Sequence, residues 1–150
     1  MIDETDKKIL NLLQENAKIS NADIARKLKM APSSVFERIK QLESKGIIVG
    51  YTTLLNCDKL CCNLIAFLFV KTSEHPGDTT LAKMIAKIPA VQEVHHVAGD
   101  DCYLVKIKAR DNKALSSLIK MHFGTFDKIT STRTTIVLET IKETSRINIV

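Results

Sequence analysis

A chain of 150 residues suffices for one ordinary domain or two small ones, and 45% hydrophobic residues with a mean hydropathy near zero exclude a disordered polymer. A formal net charge of +5 admits a phosphate-bearing partner without requiring one. The longest apolar run, Leu64 to Val70, is far too short to cross a bilayer, and the acidic amphipathic start does not read as a secretion signal; the expectation is a cytoplasmic protein with no membrane partner. Cys57, Cys61, Cys62 and Cys102 lack the second close cluster of a structural metal site, so reduced thiols, no metal and no cofactor are expected.

The first helix is predicted over residues 3–16, with Asp3 at the cap, Asp6 three residues on, and Ile9, Leu10 and Leu13 as its buried stripe. A second short helix opens at Ser20, whose hydroxyl can cap free amides, with Asp23 in the capping position; Ile24, Ala25 and Leu28 follow at helical spacing to Lys29-Met30. The third opens with Pro32 in its first turn, carries Val35, Ile39 and Leu42 as its apolar stripe, and stops at Gly46.

This stripe leaves Ser33, Glu37, Lys40 and Gln41 facing outward, with Phe36 and Arg38 on the flanks. Two short helices joined by a tight turn, the second with a polar outer face, suit a helix-turn-helix whose second helix enters the major groove. From Arg26 to Lys45 there are six Lys and Arg against two Glu, an excess that favours phosphate contacts. The candidate DNA-binding set is Lys29, Pro32, Ser33, Ser34, Phe36, Glu37, Arg38, Lys40 and Gln41. Ser and Gln can hydrogen-bond base edges. Arg38 is the first choice for a phosphate contact, against an ion pair with Glu37 or Glu43, and Phe36 is expected to pack beside the stripe.

After Gly46, the β-branched and aromatic run around Gly50 reads as an extended arm with strand pairing at Ile47 to Val49, leading into a hinge. The second half changes rhythm. Strands are predicted at Asn63 to Thr72, Val91 to Ala98, Tyr103 to Ala109 and Lys128 to Glu139. Helices are predicted at Asp78 to Ile88, with Leu81, Met84, Ile85 and Ile88 inside, and at Lys113 to Phe123, opened by Asp111; a polar tail ends the chain. The order β-α-β-β-α-β is the ferredoxin-like pattern, with both helices on one face of an antiparallel sheet. The fold class is therefore α+β: a winged or helix-turn-helix three-helix domain over residues 1–50, a hinge at 51–62 and a ferredoxin-like domain at 63–150. Leu64 to Val70 is apolar at every position, the mark of a strand buried on both faces, so a second copy of the sheet is expected to cover the open side.

Several motifs, in one order, resemble the Lrp/AsnC (feast/famine) family of transcription regulators. They are IDxxDxxILxxLQxNxxIS from Ile2 to Ser20, APSSVxxRIxxLExxGII from Ala31 to Ile48, and GY at Gly50-Tyr51. VxExHxVAGDxxY from Val91 to Tyr103 and TRTxIVLE from Thr132 to Glu139 complete the series. The resemblance implies a non-enzymatic regulator of double-stranded DNA, a homodimer assembling to an octamer, and an amino-acid effector held between dimers near the turn of the second and third strands. Carried over, that site falls on His96, Gly99, Asp100, Asp101, Cys102 and Tyr103, with Thr132 and Thr134 on the last strand. Two positions depart from the family pattern. Cys102 stands where many members have an acidic residue, and Ala31 where Ser is usual, removing a cap worth about 1 kcal/mol. His95 and His96, adjacent on a strand, point to opposite faces and do not suit a shared metal.

Two other functions fit parts of the sequence. A co-regulator that joins related family members and binds DNA poorly would suit Ala31. A tetrapyrrole-binding decarboxylase-like protein would suit His95, His96 and Arg133, but no paired acid–base constellation accompanies them.

Overall fold

The computed structural model describes residues 2–75, 77–99 and 101–149. Contacts divide the chain into two units, residues 1–54 with 143–150, and residues 55–142.

In the first unit, α1 spans Glu4–Glu15, α2 Asn21–Leu28 and α3 Pro32–Ser44. Asp3 caps α1 through a reciprocal box: its carboxylate accepts the Asp6 N–H at 2.8 Å, and Asp6 accepts the Asp3 N–H at 3.1 Å. Ser20 caps α2 by accepting the Asp23 N–H at 3.0 Å. Ala31 precedes α3 with no side-chain cap, so Pro32 at its start stands in for one only by removing a donor. Ile9, Leu10, Ile24, Ala25, Val35 and Leu42 form the buried centre, with Ile39, Ile48 and Ile149 packed against it.

The strand pairing expected at Ile47 to Val49 does not form. The N–H groups of Ile47 and Ile48 both donate to the Leu42 carbonyl, at 2.9 and 3.1 Å, closing the end of α3 around Gly46 at φ +67°. Residues 143–149, read from sequence as a polar tail, return to α1. Gln14 donates to the Ile147 carbonyl at 3.1 Å and accepts its N–H at 2.8 Å, while Arg146 pairs with Glu15 at 3.4 Å.

In the second unit a four-stranded antiparallel sheet has the order β2-β3-β1-β4, with β1 at Leu64–Thr72, β2 at Val91–His96, β3 at Tyr103–Ala109 and β4 at Ile129–Ile136. Two helices, α4 (Thr80–Ile85) and α5 (Asn112–His122), contribute Leu81, Ile85 and Leu115 to a core with Ala66, Leu68, Val70, Tyr103, Val105 and Ile107. Asp111 caps α5, accepting the Ala114 N–H at 2.7 Å. The helix expected over 78–88 is shorter and gives way to turns before Pro89, and Met84, expected inside, is 46% exposed. Within β1 only Ala66, Leu68 and Val70 are fully buried; Ile65, Phe67 and Phe69 on the other face are half-buried in the single chain. One chain thus covers one face of its sheet.

Candidate DNA-binding helix and effector turn

Lys29 takes the left-handed conformation at φ +55° and ends α2, its N–H donating to the Ala25 carbonyl. The chain then turns into α3, whose Val35 and Leu42 lie in the core while Pro32, Ser33, Ser34, Phe36, Glu37, Lys40 and Gln41 remain exposed. Phe36 is 51% exposed, so the expectation that it packs beside the stripe is corrected: its ring stands in the polar face, where it can meet a thymine methyl. Lys27, Lys29, Lys40 and Lys45 are exposed and hold no ion pair among the described residues.

Arg38 behaves differently. Its Nη1 lies 2.7 Å from Asp3 Oδ2 and 2.7 Å from Asp6 Oδ1, rather than near Glu37 or Glu43. The Asp6 backbone N–H first, and the guanidinium next, hold the Asp3 carboxyl below its usual range. The same two carboxylates, Asp3 leading, raise Arg38. Arg38 Nη1 therefore ties α3 to the capped end of α1, and the ion pair considered with Glu37 or Glu43 is made instead with Asp3 and Asp6.

Among the effector candidates, Val97 N–H donates to the Cys102 carbonyl at 3.0 Å, closing the hairpin over Gly99 at φ +136°. Asp100 lies outside the described residues. Asp101 pairs with Arg133 at 3.0 Å, and that guanidinium sits 4.0 Å over the Phe69 ring. Cys102 donates its N–H to the Val70 carbonyl at 2.9 Å. His96 is exposed, its ring 5.3 Å from that of Tyr103. His95 pairs with Leu104 and His96 with Tyr103 in the sheet register, so the two histidines face opposite ways.

Tyr103 is corrected as a ligand contact. It is 2% exposed, and its hydroxyl faces the Asp78 carbonyl at 3.1 Å and Glu74 Oε2 at 3.4 Å within the core. Burial first, then Glu74, pushes its phenol upward. Glu74, not among the residues expected from sequence, has a side chain 1% exposed that also accepts the Leu81 N–H at 3.0 Å at the start of α4. Lys128 bridges Glu74 and Asp78, at 3.2 Å from each, so these groups pin the loop before α4 to the start of β4. A charged residue just after an apolar strand was the one sequence signal for it.

Thr132 and Thr134 are exposed on β4, opposite Val70 and Leu68, and so share the helix-covered face. Thr134 lines a shallow groove with Asn112, Ser116, Ile119 and Ile136. His96, Tyr103, Val70 and Thr132 form one cross-strand row. His96 and Thr132 end that row at opposite edges, about 14 Å apart at ordinary strand spacing. Within one chain His96 is thus held apart from Thr132, whereas Asp101 reaches β4 through its pair with Arg133.

Residues 2–49 match the model of a winged helix-turn-helix DNA-binding domain, and residues 65–147 that of the Lrp/AsnC ligand binding domain. The chain belongs to the Lrp/AsnC family. The leucine-responsive regulatory proteins of Klebsiella pneumoniae and of Escherichia coli K12 are each 32% identical over 148 residues, covering 97% of this chain and 90% of theirs. A transcriptional regulator of Neisseria meningitidis, solved as a complex with L-Met, superposes with a TM-score of 0.92 at 28% identity over 99% of this chain and 97% of its own. An AsnC family regulator of Agrobacterium tumefaciens gives 0.92 at 26% identity over 98% and 97%. The family consists of DNA-binding transcription regulators, not enzymes. No helix among the described residues is long and apolar enough to cross a membrane.

Proposed function

We propose that this Lrp/AsnC regulator reads paired half-sites on double-stranded DNA with α3 and answers to an amino acid. The observation that carries the first part is the exposed face of α3, where hydroxyls, an amide, a lysine and an aromatic ring project from a helix whose other side is buried. Lys29 and Lys40 are the backbone contacts, while Arg38 braces the helix from behind. Residues 51–62 act as the hinge between a DNA-binding domain at 1–50 and the effector domain beyond it.

The half-buried face of β1 favours a dimer in which two sheets cover one another. Further dimers, up to an octamer, would place His96 and the Gly99 turn of one copy beside another copy, which suits the distance between His96 and Thr132 within one chain. An amino-acid effector is supported by the L-Met bound to the Neisseria relative. Glycine-turn amides would hold its carboxylate and Asp100 or Asp101 its ammonium. The effector would then shift the equilibrium between assemblies, and with it the half-sites engaged together.

A thermal-shift screen of the twenty amino acids, read beside the oligomer mass, tests this reading. A ligand bound only by the folded state raises the midpoint. A hit lost in Asp100→Ala, with DNA binding kept, is expected; no hit on an intact assembly would remove the amino acid from the proposal.

A further inference from the structure

Between the helical unit and the first strand lies a group of thiols that neither DNA reading nor effector binding uses. A single 3-10 turn at Asp58–Leu60 is flanked by Cys57 before it and by Cys61 and Cys62 after it. The Cys57 carbonyl accepts the N–H of Leu60 at 3.1 Å and that of Cys62 at 3.1 Å, around Cys61 in the left-handed conformation at φ +53°. A six-to-one closure of this kind brings the side chains at its two ends against each other. The bond lengths flanking that hydrogen bond keep the α-carbons of Cys57 and Cys62 within about 7 Å, the reach of a disulfide.

The two thiols have different surroundings. Cys57 is half-buried, and the Lys108 ammonium on β3 lies 3.6 Å from its sulfur. Cys62 is exposed and its thiol donates to the Leu60 carbonyl at 3.4 Å, a contact that turning the side chain about one bond releases. The first sulfur is fixed beside a cation and the second is accessible and close by, the arrangement of a reacting and a resolving thiol.

We propose that Cys57 and Cys62 form a dithiol site oxidised by hydroperoxides to an intramolecular disulfide. The Cys57 sulfur attacks the peroxide, forming an S–O bond as the O–O bond breaks and an alcohol or water leaves. The Cys62 sulfur then attacks the sulfenic sulfur; the S–S bond forms, the S–O bond breaks, and hydroxide departs as water with the Cys62 proton. Two thiols are oxidised and one hydroperoxide is reduced.

Intact-mass and peptide mapping of the full chain after stoichiometric hydrogen peroxide test this. Two of the four thiols should disappear, with the mass of two hydrogens and a Cys57–Cys62 crosslink that dithiothreitol reverses. Cys61→Ser should oxidise like the wild type, Cys62→Ser should stop at a dimedone-reactive sulfenic acid on Cys57, and Lys108→Met should react several-fold more slowly. A bridge through Cys61, a bridge between chains, or four unreacted thiols would overturn the proposal. An unchanged rate in Lys108→Met would remove the lysine from it.

Discussion

The helical unit and the sheet unit leave different kinds of surface open. The first buries its apolar stripes around Ile9, Ile24, Val35 and Leu42 and shows water a polar, basic helix. The second buries Ala66, Leu68 and Val70 beneath two helices but leaves Ile65, Phe67 and Phe69 half-covered. A polar face can wait in water for DNA, whereas an apolar one calls for a constant partner. The contrast teaches that DNA recognition is readable in one chain and assembly is not.

The largest effect should come from placing a charge on the open sheet face. Phe67→Asp is expected to give monomers by light scattering where the wild type gives dimers or larger species, with the far-UV spectrum kept. A wild-type mass for this variant would mean that the face is closed some other way.

Next in size is the brace behind the reading helix. Arg38→Ala leaves Asp3 and Asp6 without their cation and should lower the Tm of the protein. Binding to duplex should weaken while the slope of log Kd against log salt stays as it was. A slope shallower by about one would restore Arg38 as a phosphate contact.

The missing cap on α3 gives a gain rather than a loss. Ala31→Ser should add about 1 kcal/mol by accepting one of the free amides of α3, measured by urea unfolding. No gain would mean that Pro32 already settles that end.

The smallest effect is in acid. The Thr80 hydroxyl and N–H first, and Lys128 next, hold Asp78 down from 3.8 to about 2. A depressed carboxyl stabilises the fold above its unfolded value and stops doing so as pH falls through its folded one. The Tm gap between wild type and Asp78→Asn should therefore be open at neutral pH and close between 3.8 and about 2. A gap that persists below this range would mean that its hydrogen bonds do not depend on ionisation.

Local signals were legible in the sequence. Asp3 with Asp6, Ser20 with Asp23, and Pro32 with Gly46 marked the helix ends, because capping is set by residues three or four apart. The unbroken apolar run from Leu64 to Val70 and the β-α-β-β-α-β order were legible too, because run length and side-chain periodicity separate strands from helices. Contacts between distant residues were not legible. Arg38 has four carboxylates nearby in sequence or space to choose from, and only the packing of α3 on α1 selects Asp3 and Asp6 over Glu37 and Glu43. Tyr103 read as a ligand contact because it ends a motif; the strand register turns it inward to Glu74. Gln14 gave no sign that it would hold the backbone of Ile147, since a helical glutamine usually faces water.

Selection from a random duplex library with the purified protein shows whether the outer face of α3 reads DNA. A two-fold motif with half-sites about one helical turn or its multiples apart is expected to be enriched. The motif should disappear when Ser34, Phe36 and Gln41 are all changed to Ala in a protein that still folds. No enriched motif, or the same motif from that variant, would contradict it.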